Sequence, residues 1–190
     1  MQSTQSPLRP EDAAEALKTA ATATQRSVAA VAYQRVGRRL IVWGIVWIIV
    51  NVAGIVRLPV DGTYAWPAVN FAGLVACIIL DIRSAPGRRG WRHAGESLVL
   101  FLGFAAFVFS TQFVVVQPTL IQVESLVTLV LGLIYIVIGL YIGWRLVAVG
   151  AALMLIVIAG SAWAPGQFFV WMAAAGGGGL ILGGMWLRKP

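Results

Sequence analysis

After a polar N-terminal segment, the chain alternates long apolar stretches with short polar breaks. Six stretches are long enough to cross a hydrocarbon core: 40–56 (LIVWGIVWIIVNVAGIV), 64–82, 97–117, 122–143, 146–164 and 167–187. About 20 apolar residues at 1.5 Å of rise each span a bilayer, and no run of charge interrupts any of the six. The third and fourth meet at VVVQPTLIQVE, where Pro118 and the polar Gln117, Gln122 and Glu124 mark a tight turn. The fifth and sixth meet at Pro165-Gly166. Only GWR, 143–145, separates the fourth from the fifth. The pattern predicts an all-α, polytopic bundle of six transmembrane helices filling 39–190.

The segment before them is of another kind. Residues 1–10 are polar and read as disordered. Pro10 followed by Glu11 and Asp12 signals a helix start. From there Ala14, Leu17, Ala21, Thr24, Val28 and Val31 recur every three or four residues, a narrow apolar seam on one helix face. The spacing predicts a cytoplasmic amphipathic helix over 11–38, with two uses open to it: lying on lipid headgroups, or pairing with a partner helix. It is too polar and acidic for a signal peptide.

Composition fits a membrane protein. The chain is 59% hydrophobic and 11% charged, with a mean hydropathy of +0.86, whereas a soluble domain carries about 25% charged residues. So few charges cannot clothe a water-facing surface. One cysteine, Cys77, excludes an internal disulfide and CxxC chemistry, and one histidine, His93, excludes HExxH zinc and bis-histidine haem sites.

The net charge of +7 matters through its placement. With a cytoplasmic N-terminus, Arg9, Lys18, Arg26, Arg35, Arg38, Arg39, Arg83, Arg88, Arg89, Arg92, Arg145, Arg188 and Lys189 share one side, and Arg57 alone takes the other. By the positive-inside rule both termini are cytoplasmic, in a multi-pass protein of a cell inner membrane. Trp66 and Trp163 then fall at the outer boundary, and Trp91, Trp144 and Trp186 at the inner one. Trp43 and Trp47, one turn apart, share a face suited to packing or lipid contact.

Six of the 21 glycines lie within 176–184. A Walker loop would need GxxxxGK[ST], but Leu180, Ile181 and Leu182 follow Gly176–Gly179. At membrane depth the alternative is packing: Ala175, Gly179 and Gly183 are spaced i, i+4, i+8 and line one face. Gly132, Gly139 and Gly143 form a similar face on the fourth helix. A break at the four consecutive glycines, lining a cavity, is the other use of such a run.

Polar groups at membrane depth are costly, so their positions carry information. Asn51 lies six residues before Arg57, about 9 Å below the outer surface at helical rise. Asn70, Ser110, Thr111, Gln112, Gln122, Glu124 and Ser161 also fall in the outer half, and the inner half reads as almost purely apolar. Asn51, Asn70, Ser110, Gln112 and Glu124 form a candidate polar pocket; interhelical hydrogen bonding is the simpler use of the same residues.

The loop DIRSAPGRRGWRHAGES, 81–97, offers Arg83, Arg88, Arg89 and Arg92 to anionic phospholipid or an acidic protein partner, with Asp81 and Glu96 placed to pair with those arginines. It is too short and too tied to the membrane to bind nucleic acid. His93 has acids nearby but no nucleophile set. Patterns of rhomboid and presenilin-like proteases, CDP-alcohol phosphotransferases and lipid phosphatases are missing from the sequence, and no catalytic residue, metal set or cofactor motif is read. ESLV occurs at 96–99 and 124–127, too short a match to argue an inverted repeat.

In size, six spans and an outer polar cluster, the chain resembles the substrate-binding S-components of energy-coupling-factor transporters. The AxxxA-type coupling face of that family has no counterpart in LIVWGIVWIIVNVAGIV. Through TQR (24–26), LIVWG (40–44) and GGGGLILGGMWLR (176–188), it is also similar to uncharacterised small proteobacterial inner-membrane proteins. That likeness implies a bacterial inner membrane and no activity. The functional expectation is a non-enzymatic membrane anchor or regulatory subunit that binds a protein partner at the cytoplasmic face; pairing of copies through the glycine faces, as a homo-oligomer, stays open beside it. The competing expectation is a small-solute binding or transport component using the polar pocket.

Overall fold

The computed structural model describes residues 9–56, 62–84, 88–114 and 119–189. Residues 1–8, Arg57 and the Gln117-Pro118 turn lie outside the described residues, as do the side chains of Trp66, Arg88, Arg89, Thr111 and Gln112. The described chain is helical, without a strand: α1 Pro10–Val56, α2 Gly62–Ser84, α3 Arg88–Val114, α4 Leu120–Ile142 and α5 Trp144–Trp163. A 3₁₀ turn, Pro165–Gln167, leads into a last helical rod made of α6 Phe168–Trp171, a π segment Met172–Gly177 and α7 Gly178–Arg188. Among the described residues five stretches are long and apolar enough to cross a membrane: those in α1, α3, α4, α5 and the Pro165–Arg188 rod. Leu102, Phe109, Leu140, Leu155 and Leu182 are all more than half exposed. An apolar exterior of this kind belongs in lipid, where exposing leucine costs nothing.

The first helix is the longest element. Its 47 residues extend for about 70 Å, and the arm over 11–38 runs into the apolar stretch without a break. Nothing in QRVGRRLIVWG stops a helix except Gly37 and Gly44, and those two are held by packing.

α1 and the last helical rod lie antiparallel and touch through glycines on both sides, Gly177 ending the π segment and Gly184 within α7. A Cβ on Gly44 would sit 2.8 Å from the Gly177 carbonyl oxygen, and one on Gly177 would sit 2.9 Å from that of Gly44. One turn pair lower, Gly37 and Gly184 meet the same way, at 2.6 and 2.5 Å. The glycines are seven apart on each helix, two turns, so they recur on one face. Ala175, Gly179 and Gly183 occupy a neighbouring face: Gly179 lies against Ile156 and Gly183 against Val149 of α5. The closest backbone approaches are thus made by Gly177 and Gly184, next to the face that the i, i+4 spacing picks out.

The four consecutive glycines do not break the rod. The π segment ends on them, and the helix continues through Gly178 to Arg188. Glycine is a poor helix former, by about 1 kcal/mol per residue relative to alanine, so this stretch is helical because α1 and α5 enclose it.

α4 and α5 form an antiparallel hairpin turned by one residue. Gly143 has φ 148°, a conformation that side chains avoid, and its amide donates to the Gly139 carbonyl. A Cβ there would collide with the Tyr33 hydroxyl. Further along, Gly132 lies against Gly150, and Gly139 against Val147. Thr119 caps α4 by accepting from the Gln122 amide at 3.2 Å, and Gln122 Oε1 accepts from the Thr119 amide at 2.9 Å, a reciprocal box that fixes where α4 begins.

Leu40, Leu146, Val149, Leu153, Leu180 and Leu187 bury one core between α1, α5 and α7, and Val157, Phe168 and Met172 a second beside it. α2 packs on α1, where Gly73 admits Val46, and on α3, where Ser97 bonds Asp81, while Trp43 of α1 stacks on Phe101 of α3 at 6.3 Å.

Adding one methyl at Gly44 or at Gly103 separates packing from propensity. Both glycines are helical, but a Cβ on Gly103 meets nothing within 4 Å. Gly103→Ala should leave the protein as stable or raise its stability by about 0.5–1 kcal/mol. Gly44→Ala should lower it by about 1–3 kcal/mol through overpacking. Unfolding of both variants in mild detergent checks the difference.

Candidate functional site

Two polar clusters interrupt the apolar interior, one at each end of the part of α1 that packs within the bundle. At the Asn51 end, α1 faces α4. Glu124 lies four residues into α4, and its Oε1 accepts from Asn51 Nδ2 at 2.8 Å and from Trp47 Nε1 at 3.1 Å. Asn51 Nδ2 also donates to the Trp47 carbonyl at 3.0 Å, one helical turn back. Asn51 is 1% exposed, and its Oδ1 has no partner among the described residues. Thr128, fully buried, returns its hydroxyl to the Glu124 carbonyl at 2.7 Å. The carboxylate is therefore bound by neutral donors; among the described residues no basic side chain forms an ion pair with it.

Of the five residues of the candidate pocket, the structure joins two. Asn51 and Glu124 are bonded directly. Asn70, half-buried on α2, has contacts of its own, and none of the described bonds links it to this pair. Ser110 is exposed and turns its hydroxyl back to the Ala106 carbonyl at 2.7 Å, the ordinary resting place of a helical serine. The side chain of Gln112 is outside the described ones. Trp47 belongs to the cluster as a donor, a role that its spacing from Trp43 does not announce. The two share a helical face in sequence, yet Trp43 stacks on α3 while Trp47 reaches α4.

At the Arg39 end, α1 faces α2 and α3. Arg39 Nη2 donates to Asp81 Oδ2 and to Ser97 Oγ, both at 2.6 Å, and Ser97 donates onward to the same carboxylate oxygen at 2.8 Å. Asp81 is 5% exposed. Arg35, one turn earlier on α1, reaches Asp81 Oδ1 and Glu96 Oε2 at 3.4 Å each. Arg92 and His93 bond Glu96 from within α3 at 3.2 and 3.1 Å. Arg39 Nε is buried without a partner among the described residues.

This cluster corrects two expectations. The interior here is not purely apolar, and Asp81 is held by Arg39 and Arg35 of α1, with no described bond to the loop arginines. The reason is depth: α2 starts its last turn at Asp81, so the carboxylate lies among helices, and the described cations that reach it are on α1. Arg83 is exposed at the end of α2, and Arg92 remains exposed while bonding Glu96. The signal for the cluster was present in the i, i+4 spacing of Arg35 and Arg39, the only such arginine pair on α1.

Smaller contacts fix the remaining ends. Ser125 and Ser161 hydroxyls lie 3.2 Å apart between α4 and α5. Arg145 donates to the Lys189 carbonyl at 2.7 Å and lies over the Trp186 ring. Among the described residues no group of three or more potential metal ligands occurs. The chain matches no family model, no curated protein and no solved structure.

Removing one member of a half-buried ion pair strands the other, which costs more than an exposed pair is worth. Arg39→Met should destabilise the protein by about 2–3 kcal/mol, and Arg39→Met with Asp81→Leu should recover most of the loss. A double-mutant cycle on detergent unfolding measures the coupling; a coupling near zero contradicts it.

Proposed function

We propose that this protein is a non-enzymatic membrane anchor whose first helix projects from the bilayer and captures a helical protein partner at the cytoplasmic face. The observation that carries this reading is the unbroken α1 with its seam uncovered: Leu17, Val28 and Val31 are 72%, 63% and 70% exposed. An apolar seam on a solvated helix is stabilised by docking another apolar face. Its spacing of alternately three and four residues, from Ala14 through Val31, is that of a two-helix seam.

The seam also has a direction. Val28, Val31 and Arg35 are spaced i, i+3, i+7 and share a face, and Arg35 bonds Asp81 of α2 and Glu96 of α3. A helix lying along the seam therefore comes down towards the Asp81 end of α2 and the Glu96 end of α3, where Arg83 and Arg92 are exposed. The partner that fits is an amphipathic helix with acidic residues towards its membrane end. The six-span topology with both termini inside, and a bacterial inner membrane as its location, belong to the same reading. The thirteen-to-one distribution of basic residues supports the orientation, and anionic phospholipid would bind the loop arginines that the partner leaves free.

Photo-crosslinking in cells tests it. A photoreactive residue in place of Leu17, Val28 or Val31 should give a discrete protein adduct, and one in place of Thr19 or Ala30, on the opposite face, should not. Adducts to lipid alone, or equal adducts from both faces, would count against partner capture.

A further inference from the structure

We propose that the groove between α5 and the last helical rod holds one anionic phospholipid, with an acyl chain along the groove and the phosphate on Arg145. The inference goes beyond the anchor reading and does not rest on it. The groove uses no residue of the arm, and requires only that the bundle spans a bilayer.

Small residues on both walls make the groove. Ala148 and Ala152 are one turn apart on α5, and Gly179 and Gly183 one turn apart on the rod. With Ile156 and Trp186 they line a largely apolar space of about 280 Å³. Val149 and Leu153, both buried, form its floor, and Ala152 is exposed at its edge. Ile156 lies eleven residues beyond Arg145 on α5, about 16 Å by helical rise. One leaflet of hydrocarbon is about 15 Å deep, so the groove runs along a single leaflet. A furrow on a lipid-facing surface forfeits dispersion contacts unless something fills it. An unbranched chain fills it; a second helix, about 10–12 Å across with its side chains, does not enter so small a space.

Charge selects the head. Between Ser125 and Pro190 the sequence has no aspartate or glutamate, and its three basic residues are Arg145, Arg188 and Lys189. Arg145 begins α5 and the other two end the rod. Arg145 Nη1 donates to the Lys189 carbonyl at 2.7 Å, which ties these helix ends together. Its guanidinium lies 5.8 Å from the centre of the Trp186 ring, which lines the groove. Among the described residues none of the three forms an ion pair, whereas Arg35, Arg39 and Arg92 each meet a carboxylate. Trp144 packs edge-on against Trp186 at 5.4 Å, a pair of amphipathic rings suited to headgroup level. Unmatched positive charge over a chain-sized furrow is complementary to a lipid whose head is net negative. A zwitterionic lipid brings its own cation and gains less.

The experiment is native mass spectrometry of the full chain in detergent, titrated with phosphatidylglycerol or with phosphatidylcholine of the same acyl chains. The wild type should bind one phosphatidylglycerol more tightly than any that follow, and about fivefold more tightly than phosphatidylcholine. Arg145→Gln, which keeps a donor for the Lys189 carbonyl, should bring phosphatidylglycerol down to the phosphatidylcholine level, and Arg145→Lys should keep the preference. Ala152→Phe fills the groove from its exposed edge and should weaken both lipids. Lys18→Gln, an equal loss of charge on the arm, should change neither.

Equal binding of the two lipids by the wild type, or a preference that survives Arg145→Gln, would overturn the proposal. So would a loss with Lys18→Gln as large as that with Arg145→Gln. A dimer that Ala152→Phe dissociates would mean that the groove takes a second copy, and would overturn it too. The ratio of the two lipids is read within each variant, so a loss of folded protein does not imitate a lost preference. That ratio decides the proposal even if Ala152→Phe does not fold.

Discussion

The rest of the bundle depends on the contact between α1 and the last helical rod. In lipid, apolar side chains gain nothing by leaving their surroundings, so helices associate where their backbones can come close. Gly37 and Gly44 on one side and Gly184 and Gly177 on the other permit that approach along two turns of each helix. Once this face of α1 is committed to the rod, the rotation of α1 is set. Arg35 and Arg39 are then turned to α2 and α3, and Trp47 and Asn51 to α4. One helix thereby serves as the axis for both polar clusters and extends outward as the arm.

The clusters are of opposite kinds. At the Arg39 end three arginines, Arg35, Arg39 and Arg92, meet the carboxylates of Asp81 and Glu96, with Ser97 bonded to Arg39 and Asp81. At the Asn51 end a carboxylate meets an amide and an indole, and the described donors are neutral. The first arrangement fastens three helices where the bundle gives way to the arm. The second ties α1 to α4 through neutral donors. Each cluster leaves one buried polar atom without a partner among the described residues, Arg39 Nε at one end and Asn51 Oδ1 at the other, so the two differ in charge and not in how fully their hydrogen bonds are matched.

Much of the architecture was legible in the chain. Helix ends follow turn chemistry: Pro165-Gly166 and Gly143 lie where the apolar stretches change over, and the GWR boundary resolves to a one-residue turn at Gly143. The length and apolarity of five stretches also read directly. What could not be read is which face meets which helix. Hydropathy is uninformative there, because lipid-facing and core-facing residues are equally apolar: Leu40 is buried and Leu140 exposed with the same side chain. For the same reason Ala175, Gly179 and Gly183 stand out in sequence by their spacing of four, whereas Gly177 and Gly184 require a spacing of seven matched by Gly37 and Gly44 on another helix. Asn51 and Glu124 could be put at similar depth from sequence, but their bond depends on rotation. Of the two acids beside the loop arginines, Glu96 bonds one of them, Arg92, whereas the described partners of Asp81, Arg35 and Arg39, are far from it along the chain.

The central claim is that α1 is one rigid helix from the arm through the bundle, so that a partner held by the arm is held at a fixed place over the membrane. The direct test is a pulsed electron–electron resonance distance between spin labels at positions 17 and 52, both exposed, with Cys77 replaced by alanine, in nanodiscs. Thirty-five residues of unbroken helix predict a single narrow distribution near about 53 Å. A broad distribution, or one centred well below that, would mean that the arm hinges at Gly37 or before it, and the rigid-anchor account would be wrong.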